Sequence, residues 1–252
     1  MIEILILSIV QGITEFIPVS SSSHLIILSN LSDFENNNLS IDVNLHLGSL
    51  LAVIVFFKKD IVNFTYNKNL LKKILLSSLP VIILGYFLIH YNLIDYVRNL
   101  KTIAWTTLIF GIVLYVSDKS KFKKKLEKDF SYKSAIIIGL FQMLSLIPGV
   151  SRSGIVITAA RMSNFNRFDS AKISFLLSIP TLGVVSIYGI KNLITSEDLN
   201  FSALNIFSIF LSFIFSFLTI KYFLEFVKKF NLIFFVLYRC FLGLILLYLV
   251  YL

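Results

Sequence analysis

Long apolar runs separated by short basic segments are the feature that most restricts how this chain can fold. About 20 apolar residues in a helix span the hydrocarbon core of a bilayer. The 252 residues are 57% hydrophobic and only 15% charged, too few polar side chains to cover a soluble domain of that size. We therefore expect an all-α, polytopic integral membrane protein. Six runs are predicted to span the membrane: 43–57, 74–91, 103–117, 173–190, 203–220 and 232–252.

Two further apolar regions, 1–31 and 134–160, do not fit this pattern. Each is broken near its middle by a cluster of proline and serine, at 18–23 and at 148–153. The halves on either side of each break are too short to span a bilayer. Polar, irregular backbone is tolerated at membrane depth only where protein buries it or where it lines a wet cavity. Each region is therefore predicted to be a re-entrant helical hairpin.

The distribution of positive charge supports this arrangement. The formal net charge is +9, and 18 of the 23 lysines and arginines lie in short segments between apolar runs. Such segments are expected on the cytoplasmic side of the membrane, which accounts for the charge without nucleic acid as a partner. All of them fall on one side if the two broken regions enter the membrane and return. The segments are 58–73, 118–133, 161–172 and 221–231.

The layout contains an internal repeat, because a broken hairpin followed by three spans occurs twice. The two copies enter from opposite sides, and the run Ile17-Pro18-Val19-Ser20 resembles Ile147-Pro148-Gly149-Val150-Ser151. Inverted repeats with discontinuous helices place a binding site near the midplane, where the broken tips meet. A single transmembrane domain over 1–252 is predicted. Its parts are repeat one at about 1–117, a cytoplasmic basic loop at 118–133 and repeat two at about 134–252.

The first tip, QGITEFIPVSSSSH from Gln11 to His24, brings acid, base and hydroxyl groups together. Gln11 and Glu15 are four residues apart and share a helix face, and a Glu15 anion needs a cation, a metal or water at this depth. A histidine such as His24 has an unperturbed pKa of about 6.5, which suits acid–base catalysis at neutral pH. His24 is also near enough in sequence to activate a serine of the run 20–23. The alternative is that these serines hydrogen-bond neighbouring helices.

The second tip, PGVSRSG, places Arg152 too far from the basic segments for its side chain to reach the membrane surface. A guanidinium flanked by serines and glycines, at the start of a helix near Gly154, is a good phosphate clamp. The alternative is a structural ion pair with Glu15, and the two roles are compatible in a resting state.

Other polar groups in the apolar runs are less informative. His46 could face the same cavity or bond a neighbouring helix, and both alternatives stay open. Arg239 is expected to snorkel or to find a structural partner, and Ser174 and Ser178 are expected to pack helices.

Together the tips supply the groups needed for displacement at phosphorus, with Arg152 and a divalent ion offsetting charge on the phosphoryl oxygens. The apolar setting favours a lipid phosphate as substrate. The rival hypothesis is a lipid flippase or a small-molecule transporter, since broken helices in inverted repeats are also a transporter architecture.

The two tip sequences, QGITEFIPVSSSSH and PGVSRSGIVIT, resemble the signature motifs of the bacterial undecaprenyl-diphosphate phosphatases of the bacitracin-resistance type. The similarity extends through HLGSLLAVIVFF, ISFLLSIP and FFVLYR to nearly the whole chain. It implies hydrolysis of undecaprenyl diphosphate to undecaprenyl phosphate and inorganic phosphate, which recycles the lipid carrier of peptidoglycan and other cell-wall polymers. It also implies a multi-pass protein of the bacterial cytoplasmic (inner) membrane, with a site opening to the outer side and a dependence on Mg²⁺ or Ca²⁺. A homodimer stays an open alternative.

The resemblance assigns roles to residues at matching positions. Glu15 is the essential acid that assists metal binding, His24 is the catalytic histidine, and Arg152 binds the diphosphate. Ser21 is the candidate nucleophile, although attack by water with His24 as base stays open. The implied phosphate contacts are Ser20, Ser151, Ser153 and Thr158.

Three residues depart from the usual motif. Gln11 stands where glutamate is frequent; it can still coordinate a metal through its carbonyl, but it adds no charge. Ser22-Ser23 replace a frequent Thr-Gly pair.

Overall fold

A computed structural model describes residues 2–31, 39–64, 66–120, 124–195 and 203–251, and all regular structure in these ranges is helical. The helices, in chain order, are α1 Ile2–Thr14, α2 Ser21–Leu31, α3 Leu39–Phe56, α4 Lys58–Asn63, α5 Lys68–His90, α6 Ile94–Val97, α7 Leu100–Asp118, α8 Leu126–Asp129, α9 Tyr132–Gln142, α10 Arg152–Met162, α11 Arg167–Thr195, α12 Ala203–Lys229 and α13 Ile233–Tyr251, with a 3-10 turn at Met143–Leu146 after α9.

Both apolar regions with a predicted break are interrupted helix pairs. The first pair is α1 and α2, of 13 and 11 residues, and the second is α9 and α10, of 11 residues each. At 1.5 Å per residue these helices are about 16 to 20 Å long, too short to span the bilayer core of about 30 Å. The first pair is followed by the long helices α3, α5 and α7, and the second by α11, α12 and α13.

Within the part of the chain that the structure describes, five helices are long and apolar enough to cross a membrane: α5, α7, α11, α12 and α13. They contain five of the six predicted spans. The sixth predicted run, 43–57, lies in α3, whose apolar part Ile41–Phe56 is shorter. The chain is therefore a multi-pass membrane protein with an all-helical fold.

The outer faces of the spans are apolar, as contact with lipid requires. On α5 the side chains of Leu75, Leu79, Ile83 and Phe87 are all about half exposed. They follow one another at intervals of four residues and so form one stripe along the helix. The same face in water would be a large exposed apolar patch. This face of α5 is therefore suited to the lipid tails.

Small residues allow the helices to approach closely where they pack on one another. Ser49 of α3 hydrogen-bonds Ser212 and Ser216 of α12 at 3.2 and 2.9 Å. Gly139 of α9 lies against Ser77 of α5, whose hydroxyl donates to a backbone carbonyl of α9 at 2.9 Å. Such contacts hold helices together in lipid, where apolar burial gives little preference for a neighbouring helix.

The four basic segments of the sequence meet at one end of the molecule. Segment 161–172 contacts each of the other three through charged side chains. These contacts are the Asp60–Lys172 ion pair at 2.7 Å, the Asp118–Arg167 ion pair at 2.7 Å and the ammonium of Lys228 at 5.1 Å from the centre of the Phe168 ring.

Gly139 offers a test of this close packing. A Cβ at this position would lie 2.6 Å from the Ser77 carbonyl oxygen, whereas a Cβ at Gly183 of α11 would have no atom within 4 Å. We expect Gly139→Ala to lower the free energy of unfolding by about 1 to 3 kcal/mol. The control Gly183→Ala should leave it unchanged or raise it by up to about 1 kcal/mol, since alanine favours a helix. Thermal unfolding in one detergent measures both, and equal midpoints would contradict the packing.

Candidate active site

Each interrupted helix pair bends at a serine whose backbone lies in the left-handed region. Ser20 has φ 77° and precedes α2, and Ser151 has φ 70° and precedes α10. Non-glycine residues rarely adopt this conformation, and where they do it often marks a functional site. The Ser151 hydroxyl caps α10 by accepting from the Gly154 N–H at 3.1 Å. The helix predicted to start near Gly154 therefore starts two residues earlier, at Arg152.

The two tips are in direct contact, although their residues are more than 130 positions apart. The Arg152 guanidinium donates to Glu15 Oε1 at 2.9 Å. The Ser153 hydroxyl donates to the Ile17 carbonyl at 2.8 Å. A second nitrogen of Arg152 donates to the Ser174 carbonyl of α11 at 3.2 Å. Ser174, expected only to pack helices, thus also orients Arg152.

A small cavity of about 70 Å³ lies at this junction, and both tips contribute to its wall. Its volume is about that of two water molecules, so a diphosphate could enter only if lining side chains moved. The wall is polar throughout. The lining residues are Thr14, Glu15, Ser20, Ser21, Ser22, Ser145, Ser151 and Arg152.

Glu15 is the hub of the hydrogen-bond network beside the cavity. Its Oε1 accepts from Arg152, and its Oε2 accepts from the Ser21 hydroxyl at 2.7 Å and from Gln11 Nε2 at 3.1 Å. The Glu15 and Arg152 side chains are only 7% and 13% exposed. A buried ion pair is tolerated when further hydrogen bonds satisfy its remaining atoms, as they do here.

His24 points away from this network. Its Nδ1 bonds the Ser20 carbonyl at 2.7 Å, so Nδ1 carries the proton. In a neutral ring Nε2 is then an acceptor, and it receives the Tyr238 hydroxyl at 2.5 Å. The Tyr238 ring is nearly parallel to the imidazole, with the ring centres 5.7 Å apart, so the two rings meet edge to edge. The sequence suggested His24 as the base beside a serine, but in the structure Glu15 accepts the Ser21 hydroxyl.

Three other predicted residues surround the cavity without lining it. Gln11 is fully buried behind Glu15, Ser153 bonds the Ser151 hydroxyl at 3.2 Å, and Thr158 is buried further along α10. His46, for which two alternatives were open, bonds the Asp42 carbonyl of its own helix at 2.7 Å and is not part of the cavity wall.

Sequence reasoning did not find Thr14, Ser145 or Tyr238. A signal for Ser145 was available, because aligning Ile17-Pro18 with Ile147-Pro148 places Ser145 opposite Glu15. Tyr238 lies 214 residues after its partner His24. No local spacing could have indicated that contact.

The guanidinium of Arg239, on α13, donates hydrogen bonds to both tips. This guanidinium is completely buried, so the expected snorkelling is wrong and the expected structural partner is found. All of its hydrogen bonds go to backbone carbonyls. The acceptors are Pro18 at 3.2 Å, Gly149 at 2.9 Å, Val150 at 3.0 Å and Thr107 of α7 at 3.2 Å.

Glu15 and Gln11, at and beside the cavity wall, suit a divalent cation that needs few protein ligands. In the described ranges no group of three or more His, Cys, Asp or Glu side chains converges. Mg²⁺ commonly uses one or two carboxylates and leaves its other positions to water and substrate phosphate. Glu15 supplies such a carboxylate, and the side-chain carbonyl oxygen of Gln11 is buried without a hydrogen-bond partner among the described residues. These two residues therefore suit a cation that the substrate helps to bind.

Comparison with known proteins agrees with these features. Residues 4–245 match the family model of the bacitracin resistance protein BacA. A protein named undecaprenyl-diphosphatase from Pelagibacter ubique is 52% identical over 252 residues, which cover 99% of this chain and 98% of that protein. Proteins of the same name from Jannaschia sp. and Saccharophagus degradans are each 37% identical, over 98% and 94% of this chain and 97% and 93% of their own lengths.

Matches of this extent, together with two tips that meet as the motifs predict, place the chain in a family. It belongs to the BacA family of bacitracin resistance proteins, whose curated relatives are named undecaprenyl-diphosphatases.

Proposed function

We propose that this protein hydrolyses undecaprenyl diphosphate to undecaprenyl phosphate and inorganic phosphate. The observation that carries the proposal is the network of Arg152, Glu15 and Ser21 at the junction of the two tips. It places an anion-binding group, a carboxylate and a hydroxyl around one small cavity within a membrane protein. The reaction would return the lipid carrier to cell-wall synthesis and so confer bacitracin resistance.

The proposed topology places the end formed by the four basic segments in the cytoplasm. The chain is then two inverted repeats, each a re-entrant hairpin followed by three spans. Thr107, whose carbonyl binds Arg239, is about 16 Å along α7 from Asp118 at the basic end. The tips therefore meet near the middle of the spans, as in other inverted repeats with broken helices. The cavity is proposed to open to the outer side of the cytoplasmic membrane.

Diphosphate binding follows from an exchange of partners by Arg152. A phosphate oxygen can replace Glu15 Oε1 on the guanidinium, because Arg binds phosphate and carboxylate with the same geometry. The hydroxyls of Ser20 and Ser151 line the same wall and can donate to the phosphate. Ser153 and Thr158 support this binding from α10. The resting ion pair thus keeps the site assembled until substrate arrives.

Two routes for the attack on phosphorus are retained. In the first, the Ser21 oxygen bonds the terminal phosphorus, its proton passes to Glu15 Oε2, and the bond to the bridging oxygen breaks. Undecaprenyl phosphate leaves, and water then hydrolyses the phosphoserine. The 2.7 Å contact between Ser21 and Glu15 supports this route.

In the second route water attacks the phosphorus directly, with His24 as base. His24 would first have to exchange its Tyr238 partner for that water. A divalent cation held by Glu15 and Gln11, when bound, would offset charge on the phosphoryl oxygens in either route.

The alternative function is a flippase or transporter, favoured by the same broken-helix architecture. Liposomes containing the protein separate the two functions. Transport of lipid without any release of phosphate would support the alternative.

Purified protein should release inorganic phosphate from a polyprenyl diphosphate when Mg²⁺ or Ca²⁺ is present. Phosphate is measured colorimetrically in detergent. Chelation of the cation should stop the release, because the single positive charge of Arg152 leaves most of the diphosphate charge uncompensated. Re-addition of the cation is the control. No release under any metal or detergent would reject the hydrolase.

Glu15→Gln removes the charge of the carboxylate, and Arg152→Lys removes the planar guanidinium that can donate two parallel hydrogen bonds to a phosphate. Each variant should lower kcat/KM at least about 100-fold. The matched control is Asp60→Asn, which breaks the ion pair with Lys172 at the basic end. This control should stay within about twofold of wild type. Near-normal turnover in either tip variant would remove that residue from the site.

Ser21→Ala distinguishes the two routes only when combined with trapping of the intermediate. With labelled substrate and rapid quenching, the first route predicts a phosphoenzyme in wild type and in Ser22→Ala, but none in Ser21→Ala. Ser22 is the control because it lines the same cavity without bonding Glu15. Absence of any labelled wild-type protein during turnover would favour attack by water.

A further inference from the structure

Arg239 is a buried cation without an acidic partner. Its side chain has no solvent exposure, and within the described residues no Asp or Glu lies at ion-pair distance from it. Arg161, which is equally buried at the basic end, differs because Asp118 lies 3.3 Å from it. A buried charge is costly unless it is paired or fully hydrogen-bonded. Carbonyl oxygens alone compensate Arg239, and three of its four acceptors belong to the tips.

Three successive carbonyls of the second tip, from Pro148 to Val150, accept hydrogen bonds from side chains of α7 and α13. The Thr106 hydroxyl of α7 lies 2.5 Å from the Pro148 carbonyl, nearer than the Thr102 and Ile103 carbonyls of its own helix at 2.8 and 3.2 Å. Arg239 donates to the carbonyls of Gly149 and Val150. In the first tip Arg239 takes the Pro18 carbonyl. All four oxygens therefore bind donors on α7 and α13, and none of these donors lines the cavity.

Peptide geometry fixes what the other side of these groups presents. In a trans peptide the C=O and the following N–H point in opposite directions. Because the Val150 carbonyl faces Arg239, the Ser151 N–H faces away from it. The N–H groups that follow Pro18 and Gly149 are already bonded within their own tips, Val19 N–H to the Ile17 carbonyl and Val150 N–H to the Ile147 carbonyl. In the part of the chain that the structure describes, the N–H groups of Ser151 and Arg152 have no acceptor. Both residues line the cavity, and Arg152 is the first residue of α10, where free N–H groups attract anions.

We propose that Arg239 is a positioning residue that holds the carbonyls of both tips away from the cavity, so that the Ser151 N–H, rather than a carbonyl oxygen, faces the diphosphate. The inference rests on the proposed function, since it concerns how the same site receives its substrate. It also explains why no carboxylate neutralises Arg239. A carboxylate behind the tips would add a negative charge close to the anion, whereas carbonyl oxygens leave the positive charge in place.

Lysine cannot replace arginine in this role. The guanidinium is planar, and its three nitrogens reach four carbonyls on α7 and both tips. A lysine offers three N–H bonds from a single nitrogen. Some tip carbonyls would then be released and free to turn toward the substrate, where they repel a phosphate oxygen.

The first experiment compares Arg239→Lys with Arg161→Lys. Both arginines are buried and bind backbone carbonyls, but Arg161 binds them at the basic end. The readouts are kcat and KM for a polyprenyl diphosphate, and the inhibition constant of inorganic diphosphate as a simple anion probe. We expect Arg239→Lys to lose at least about tenfold in kcat/KM and in diphosphate binding, the range of a lost charge-assisted hydrogen bond. Arg161→Lys should stay within about twofold in both.

The second experiment leaves Arg239 intact, in case its variant does not fold. Thr106→Val keeps the side-chain shape but releases the Pro148 carbonyl, and should weaken diphosphate binding about fivefold, the equivalent of one neutral hydrogen bond. Thr106→Ser retains the hydroxyl and should restore wild-type binding. This rescue would not follow if Thr106 only filled space.

The outcomes separate this inference from the proposed function. Wild type that releases no phosphate would reject the proposed function. Active wild type with equal losses in Arg239→Lys and Arg161→Lys would overturn the inference, because general destabilisation would then account for both. Unchanged diphosphate binding in a folded Arg239→Lys or in Thr106→Val would also overturn it.

Discussion

A polar backbone group within a membrane must find its partner inside the protein, and the structure of both tips depends on this constraint. Each tip leaves the helical state for only a few residues, yet several carbonyls lose their helical donors there. Arg239 and Thr106 replace those donors from α13 and α7. The irregular segments can then persist at a depth where an unpartnered carbonyl would cost several kcal/mol.

The same constraint explains why the two charged groups at the tips lie together as a pair. The Glu15 carboxylate is tolerable inside a membrane protein because Arg152 of the other tip meets it, and the converse holds for Arg152. The pair therefore has two consequences at once. It joins the two tips, and in the proposed function it keeps the Arg152 guanidinium next to the carboxylate that phosphate would displace. Neither half of the chain contains a complete site.

Much of the fold could be predicted from the sequence because membrane solvation leaves few alternatives. Apolar length predicted the five long helices and, for the run 43–57, one that is shorter than a typical span, and the Pro-Ser clusters predicted both breaks. The contact between Glu15 and Arg152 was foreseen as one of two alternatives for Arg152. What the sequence could not supply is side-chain direction. His24 stands near four serines in the chain, but the first turn of α2 directs it toward Tyr238, and Glu15 bonds Ser21 instead. The carbonyl partners of Arg239 could not be predicted either, because every residue has a backbone carbonyl and the sequence does not mark which ones accept.

Helix α13 follows all the other described helices in the chain, and it carries two adjacent residues that contact the tips: Tyr238 bonds His24, and Arg239 bonds both tips. The first hairpin leaves the ribosome more than 200 residues before these partners. Until α13 is made, the Pro18 carbonyl has no Arg239 donor and can bond only water or a transient partner. A chain that stops short of α13 would therefore contain both signature motifs without the arginine that holds the two tips together.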